Sequence, residues 1–535
     1  MLPERSADLT RAAKGPAGTS GARWPAVCLL LGLVVVVGGW LHSFSEPLDR
    51  DQACYLACAH ELRSGKLLYR DCWDHKPPAI FCTLALLEPL VGPGAAGLKL
   101  IWLVLAFSAV LLTRQVLLAS TRSTWAAGQG ALLYGLVCTC PGLQANDTNT
   151  EPFMVLPALL SLLWMLRWQE DRRAWRLWGI GALMAVSSLF KHVAVFQALA
   201  FLACALVLER RAGWRRMFHA AAALCVPGVL AWSLVTVYFW SKGALDDFLY
   251  CVFTYNRGYV SGSLRRTVSA FPGIVQKDLP GAMKDTVFLW LAAASSAVFL
   301  LRHRRQEHSR ALVLAFAAGS ALAVVAPGNL WPHYFILALP AAVVLAVLGW
   351  FDSRDEPAGP SRREAARWRH AGALLMSAAV LWSGIAYAVF LRKPVEVISS
   401  EKYTPIFLRC RNLGLELGRL SRFSDTLYNW GSEVSLYVYA ERAPATRFLY
   451  NFPLIAGRDP AFEEAGIAEV ARDLRSRRPR IVVTTWPREL PDDLQRVLDD
   501  QYREVHAGPW YRLFELRTDP LPARDWKAFD AANWP

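Results

Sequence analysis

Charge is what this chain has little of. Asp, Glu, Lys and Arg make up 19% of its 535 residues, 54% are hydrophobic, and the mean hydropathy is +0.24. Soluble domains carry about 25% charged residues, so this composition argues against an ordinary water-exposed globule. The eleven cysteines are odd in number and scattered, several of them inside apolar runs, and form neither a disulfide framework nor a zinc pattern. No repeat or low-complexity segment stands out. A small-residue cleavage site is missing after the first apolar run, so that run reads as a retained span rather than a signal peptide. Few ionisable residues lie deep inside the apolar runs, where transport and proton pathways would place them.

What is present is a series of separate apolar runs of roughly 16–22 residues, about the length that crosses a bilayer. They predict an α-helical polytopic membrane protein with about eleven transmembrane helices. The net charge of +14 does not point to nucleic acid, because many basic residues sit in short loops between the runs. Spans are expected at residues 25–44, 97–113, 123–140, 152–166, 177–190, 193–208, 220–240, 287–301, 311–326, 335–350 and 371–391. Residues 1–24, with Arg5, Arg11, Lys14 and Arg23, form a cytoplasmic tail. The apolar piece 78–91 is too short to cross comfortably and is expected at the outer surface. Were it to cross, every later basic loop would flip outward, against the positive-inside bias.

This topology makes residues 25–391 a membrane domain with outer loops at 45–96, 141–151 and 241–286. The last loop is a blemish, since it carries Lys242, Arg257, Arg265, Arg266, Lys277 and Lys284, with Asp246, Asp247, Asp278 and Asp285 among them. Residues 392–535 are expected to be an α/β domain on the outer face. Its strands are predicted at 426–430, 447–450, 480–485 and 510–516, and its helices at 433–440, 462–476 and 491–500.

The densest polar stretch is residues 48–78, with Asp49, Asp51, His60, Asp71, Asp74, His75 and Lys76 immediately after the first apolar run. A short helix over 51–64, ended by Gly65, would place Cys54, Cys58 and Leu62 on one face. Across the chain, Asp147, Glu151, Lys191, His192, Arg257 and His333 fall on the same outer side. Charges gathered at the outer boundary suggest chemistry between a lipid-borne group and something outside. Asp51 suits a general base, or the N-cap of its helix. Asp49 reads as a solvated loop residue. Lys76 and Lys191 suit an anionic leaving group, or membrane-surface anchoring. Cys54, Cys58 and Cys72 with His60 and His75 have the makings of a metal cluster; packing of small apolar thiols is the plainer reading.

A resemblance runs through about residues 25–350. Asp51, Gln52 and Tyr55, then YRDCWDHKPP at 69–78, Thr150-Glu151-Pro152, Phe190-Lys191, and His333-Tyr334-Phe335 with Pro340 resemble the GT-C glycosyltransferases. The similarity is to the ArnT-like and protein O-mannosyltransferase-like group. It implies an inverting transfer of a sugar from a polyprenyl-phosphate donor to a lipid, polysaccharide or protein acceptor, at the periplasmic face of the inner membrane. It implies Asp51 and Glu151 as the catalytic carboxylates, Asp51 as the base, with Asp147 the near neighbour that is the alternative to Glu151. Lys76 and Lys191, with Arg257 and His333, are the expected phosphate-binding residues. His75, preceded by Asp74, stands where some members carry an acid before Lys-Pro, and either residue could ligate a divalent cation, which is not required. Cys54 replaces a basic residue of the aminoarabinose branch. A transporter or lipid-linked-sugar flippase is the alternative, but neither a central ionisable path nor paired inverted repeats are seen.

Overall fold

The computed structural model describes residues 23–258, 281, 283–302, 308–352, 362–485 and 489–533. The tail residues Arg5, Arg11 and Lys14, and Arg265, Arg266, Lys277 and Asp278 of the long outer loop, lie outside the described residues. Every predicted span falls on a helix. Among the described residues six helices are long and apolar enough to cross a membrane: Trp24–Ser43 (α1), Ala95–Thr121 (α4), Thr150–Asp171 (α6), Trp214–Ser241 (α9), Lys284–Arg302 and His370–Arg392. The other five predicted spans lie on shorter helices. These are Thr124–Val137 (α5), Ala174–Phe190 (α7), Ala194–Glu209 (α8), His308–Val325 and Leu339–Asp352.

Small residues let these helices approach closely. A Cβ at Gly32 of α1 would stand 2.7 Å from the Ala131 carbonyl oxygen of α5, and one at Gly135 would stand 2.5 Å from the Gly32 carbonyl oxygen. Backbone contact of this kind replaces the hydrophobic drive that helices lack in lipid.

Between α1 and α4 the chain forms two further helices, Arg50–Arg63 (α2) and Ala79–Val91 (α3), which pack on each other. At 13 residues α3 is roughly 20 Å long, well short of the hydrocarbon core. The residue expected to be solvated in a loop, Asp49, is buried and caps α2. Its carboxylate accepts the Gln52 N–H at 2.8 Å while the Gln52 side chain accepts the Asp49 N–H at 3.3 Å. This capping box makes Asp49 the N-cap, so Asp51 does not fill that role.

The cysteine reading is corrected at one pair. Cys58 and Cys72 form a disulfide, with Cα atoms 6.0 Å apart. After α2 the chain turns back through Gly65 and Tyr69, both at positive φ, and this reversal brings two cysteines separated by 14 positions together. No spacing rule reveals that encounter.

The tail carries a five-stranded mixed sheet in the order β2-β1-β3-β5-β4. Its strands are Thr426–Trp430 (β1), Ala443–Pro444 (β2), Ile481–Thr484 (β3), Tyr502–Ala507 (β4) and Arg512–Leu516 (β5). β1 runs parallel to β2 and β3, and β5 runs antiparallel to β3 and β4. The strand expected at 447–450 is instead an irregular segment, and β4 was not anticipated. β4 has mostly exposed or half-buried residues, so it lacks the apolar alternation that marks a strand. The segment at 447–450 is apolar because it packs Phe448 and Tyr450 on Trp73, between α2 and α3.

A disulfide closing a loop of this size contributes about 3 kcal/mol. Replacing both partners by serine is expected to lower the thermal midpoint with helix content by circular dichroism unchanged. Alkylating the unfolded, unreduced chain should leave Cys58 and Cys72 unlabelled; their labelling would contradict the pairing.

Candidate active site

Beside Arg50 and Asp51 of α2, three segments far apart in sequence supply the ionisable side chains of one cavity. The first is residues 74–78. One Asp74 oxygen accepts the Lys76 N–H at 2.8 Å, and the other accepts the Cys54 Sγ–H at 3.1 Å. The first of these folds the chain into a tight turn. Pro77 and Pro78 then start α3. Lys76 is thereby aimed back over α2, where its Nζ stands 3.3 Å from Asp51 Oδ1 and 4.9 Å from the centre of the Tyr55 ring.

The second segment is the break between α7 and α8. Lys191 ends α7 in an extended conformation, so its side chain leaves the helix surface. Its Nζ lies 2.5 Å from Glu151 Oε1 and 3.6 Å from the centre of the Tyr334 ring. Glu151 sits in the first turn of α6 at 0% exposure. The Phe153 and Phe190 rings stack beside this pair, joining α6 to the end of α7.

The third is a short 3-10 helix, Pro332–Leu337. His333 Nδ1 is 2.9 Å from the Gln144 side-chain oxygen, whose own amide NH2 donates to the Lys402 carbonyl at 3.3 Å. That orientation puts the hydrogen on Nδ1. The neutral ring therefore presents an accepting Nε2, and it donates to an anion only when protonated.

The cavity between these segments measures about 570 Å³. Asp51, Asp74, His75, Lys76, Lys191 and His333 all line it. Glu151 does not; it lies behind Lys191. Arg257 is exposed and is not among the lining residues, whereas its neighbour Asn256 is, and donates to the His75 carbonyl at 2.5 Å. One wall is apolar, built from Val193, Val195, Phe196, Ala326, Pro327 and Trp331. Ser432, Val434, Tyr450 and Phe452 of the C-terminal domain also line the cavity.

Sequence reasoning missed Arg50 and these C-terminal residues. Arg50 stands next to Asp51 and lines the cavity, which adjacency alone could have flagged. The C-terminal residues follow no local pattern that points to a membrane-facing site.

Charge states follow from this packing. Burial pushes the Asp51 carboxyl up, but Lys76, His333 and Lys191 outweigh it and hold it well below the usual carboxylate range. Burial likewise pulls Lys76 down, while Asp51 and Asp74 carry it above its ordinary value. His75 is pulled down to about 4 by burial and by Lys76, and burial lowers His333. Burial lowers Lys191 from its ordinary value against the opposing pull of Glu151, and Lys76, Lys191 and Arg50 are the basic side chains that line the cavity beside its histidines.

As metal ligands, Asp74 and His75 are two adjacent residues, with His75 Nδ1 3.9 Å from Asp74 Oδ1. Among the described residues no group of three or more His, Cys, Asp or Glu side chains gathers to hold a cation. Two donors, one already accepting two hydrogen bonds, fall short of the three or four that a zinc site takes from protein.

Removing one member of a buried pair costs about 3–5 kcal/mol because the other charge is stranded. Glu151→Gln and Lys191→Met are each expected to lower stability on that scale, and the double variant to recover part of the loss. Additive losses in a denaturant-unfolding cycle would show that the two groups are not coupled.

Neither a family model nor a curated protein matches this chain. Solved structures do. ArnT from Cupriavidus metallidurans bound to undecaprenyl phosphate superposes with a TM-score of 0.59 at 15% identity, covering 93% of this chain and 98% of that one. The same protein in the apo state gives 0.54 at 15% identity, over 92% and 98%. Across nearly its whole length this chain shares the fold of ArnT.

Proposed function

We propose that this protein is a membrane glycosyltransferase of inverting type. It moves a sugar from a polyprenyl-phosphate donor to a lipid, polysaccharide or protein acceptor, on the periplasmic side of the inner membrane. The observation that carries the reading is the meeting of one ionised carboxylate, Asp51, with Lys76 and Lys191 in a cavity that has an apolar wall. The fold shared with ArnT, which binds undecaprenyl phosphate, supports a donor of that class.

The roles follow from charge. The polyprenyl chain lies along the apolar wall, and its phosphate sits between Lys76 and Lys191. As the sugar–phosphate bond breaks, negative charge grows on the leaving phosphate, and two fixed ammonium groups stabilise it more in the transition state than in the ground state. Asp51 receives the proton of the acceptor hydroxyl as that oxygen attacks the anomeric carbon from the opposite side. In the empty cavity Asp51 is a poor base because Lys76 pairs with it. A bound phosphate draws the lysine's charge to itself and returns basicity to Asp51, so the base is strengthened only when donor is present. Glu151 acts through Lys191, holding its ammonium against the Tyr334 ring. His333 adds a phosphate contact once the arriving anion favours its protonated form. Arg257, next to the lining residue Asn256, is a further candidate contact for the donor phosphate. A divalent cation is not required, and no step here uses one.

The deciding assay incubates purified protein in lipid with labelled polyprenyl-phosphate sugars and a cell-envelope extract. Asp51→Asn is expected to lower transfer about 10²–10⁴-fold, the usual contribution of a general base. Equal transfer by the variant would remove Asp51 as the base. No transfer from any donor by the wild type would overturn the reading.

A further inference from the structure

Three consecutive residues precede Asp51, and each is held by a polar group from the C-terminal part of the chain. The Leu48 N–H donates to the Tyr439 hydroxyl at 2.8 Å. The Tyr403 hydroxyl meets the Asp49 carboxyl at 2.8 Å. Arg50 donates through Nη2 and Nε to one oxygen of Glu433, at 2.7 and 3.3 Å. Glu433 is itself buried, so this is no loose surface tether. The lysine-bearing loop is gripped similarly, where the Trp73 N–H donates to the Arg447 carbonyl at 2.9 Å.

We infer that the C-terminal domain positions the catalytic carboxylate, with Tyr403, Glu433 and Tyr439 as the positioning residues that set where Asp51 stands against Lys76. Its catalytic consequence rests on the glycosyl-transfer reading above; the clamp itself does not.

The joint at Tyr403 also holds a proton. Its hydroxyl lies 2.8 Å from Asp49 Oδ2 and 2.8 Å from Asp147 Oδ2. One O–H donates one hydrogen bond. The second contact needs a hydrogen of its own, so one of the two carboxyls is protonated. Asp147 meets Lys402 at 2.6 Å and Lys99 at 3.7 Å, which keeps it ionised even though both lysines also face Glu46. Around Asp49 stand Asp147 and Asp51 as like charges, with the Gln52 N–H and Tyr403 as its polar contacts; no cation lies within ion-pair distance among the described residues. Asp49 is therefore the proton holder. Burial, then Asp147 and Asp51, push its carboxyl up to about 7 against the opposing pull of its two hydrogen bonds.

The sign of the pH dependence follows. An unfolded aspartate titrates near 3.9, so between that value and about 7 the folded chain retains a proton that the unfolded chain has lost. The stability Asp49 contributes is complete below the unfolded value and is lost as pH rises through the folded one. Asp49→Asn reproduces the protonated group without titrating: its oxygen still accepts from Gln52 and its amide donates to Tyr403.

The test uses the full chain in lipid nanodiscs. Thermal midpoints of wild type and Asp49→Asn are followed from about pH 5 to about pH 8, spanning the raised value. The gap between them is expected to widen in favour of the variant as pH rises; parallel curves would overturn the shared proton. In the transfer assay, Tyr403→Phe and Glu433→Gln are expected to lower kcat about ten- to a hundredfold, the scale of a small misplacement of a reacting group. Donor KM should stay within about twofold, because both donor-binding lysines are untouched. Wild-type kcat in both variants would overturn the positioning role. A wild type inactive with every donor would defeat the glycosyl-transfer reading, and the midpoint curves would still decide the proton-holding joint.

Discussion

Each lysine of the cavity stands against a carboxylate, and that pairing is the constraint on which the rest of the arrangement depends. An ammonium withdrawn from water is costly unless an opposite charge meets it. Lys76 meets Asp51, and Lys191 meets the fully buried Glu151. Since the partners lie 25 and 40 positions away in the chain, satisfying them dictates how α2, α6 and the break after α7 must be packed. The disulfide, the Asp74 turn and the capping box all act on the same short region around Asp51 and Lys76. They remove freedom from side chains whose charges would otherwise find water.

A second, wholly buried network lies behind the first. Glu46 and Asp49 precede α2, Asp147 precedes α6, Lys99 lies on α4, and Lys402 lies on the link to the C-terminal domain. Glu46 and Asp147 share the two lysines, and the proton on Asp49 leaves the third carboxyl uncharged. It follows that the junction between the helical and C-terminal parts is built from directional polar contacts rather than from apolar packing alone. Such contacts define one geometry, whereas apolar surfaces allow sliding. The apolar wall of the cavity has the opposite character, with no polar demand of its own, and suits a ligand that is long, greasy and without directional groups.

Local rules served well wherever structure is local. The apolar runs show the helices because a backbone in lipid must satisfy its hydrogen bonds within itself. The helix over 50–63 and the strands β1, β3 and β5 follow from periodicity and from turn residues. Residues 447–450 misled because apolar side chains read alike whether they join a strand or fill a contact between domains. Asp49 misled for a related reason. An aspartate beside other charges looks solvated, and only the arrival of Tyr403 from 354 positions away buries it.

By itself the sequence determined that this is a membrane protein of many helices with a C-terminal α/β domain. Hydropathy and charge asymmetry are sums over neighbours in the chain, so they survive without coordinates. It also singled out Asp51, Glu151, Lys76, Lys191 and His333, through motifs short enough to read in a line. Only the tertiary structure decided which of these face one another. It placed Glu151 behind Lys191 rather than in the cavity, left Arg257 off the cavity's lining, joined Cys58 to Cys72, and brought Arg50 and the C-terminal domain to the site. Pairing energies fall steeply with distance, and distance between remote residues is set by packing, which no local pattern records.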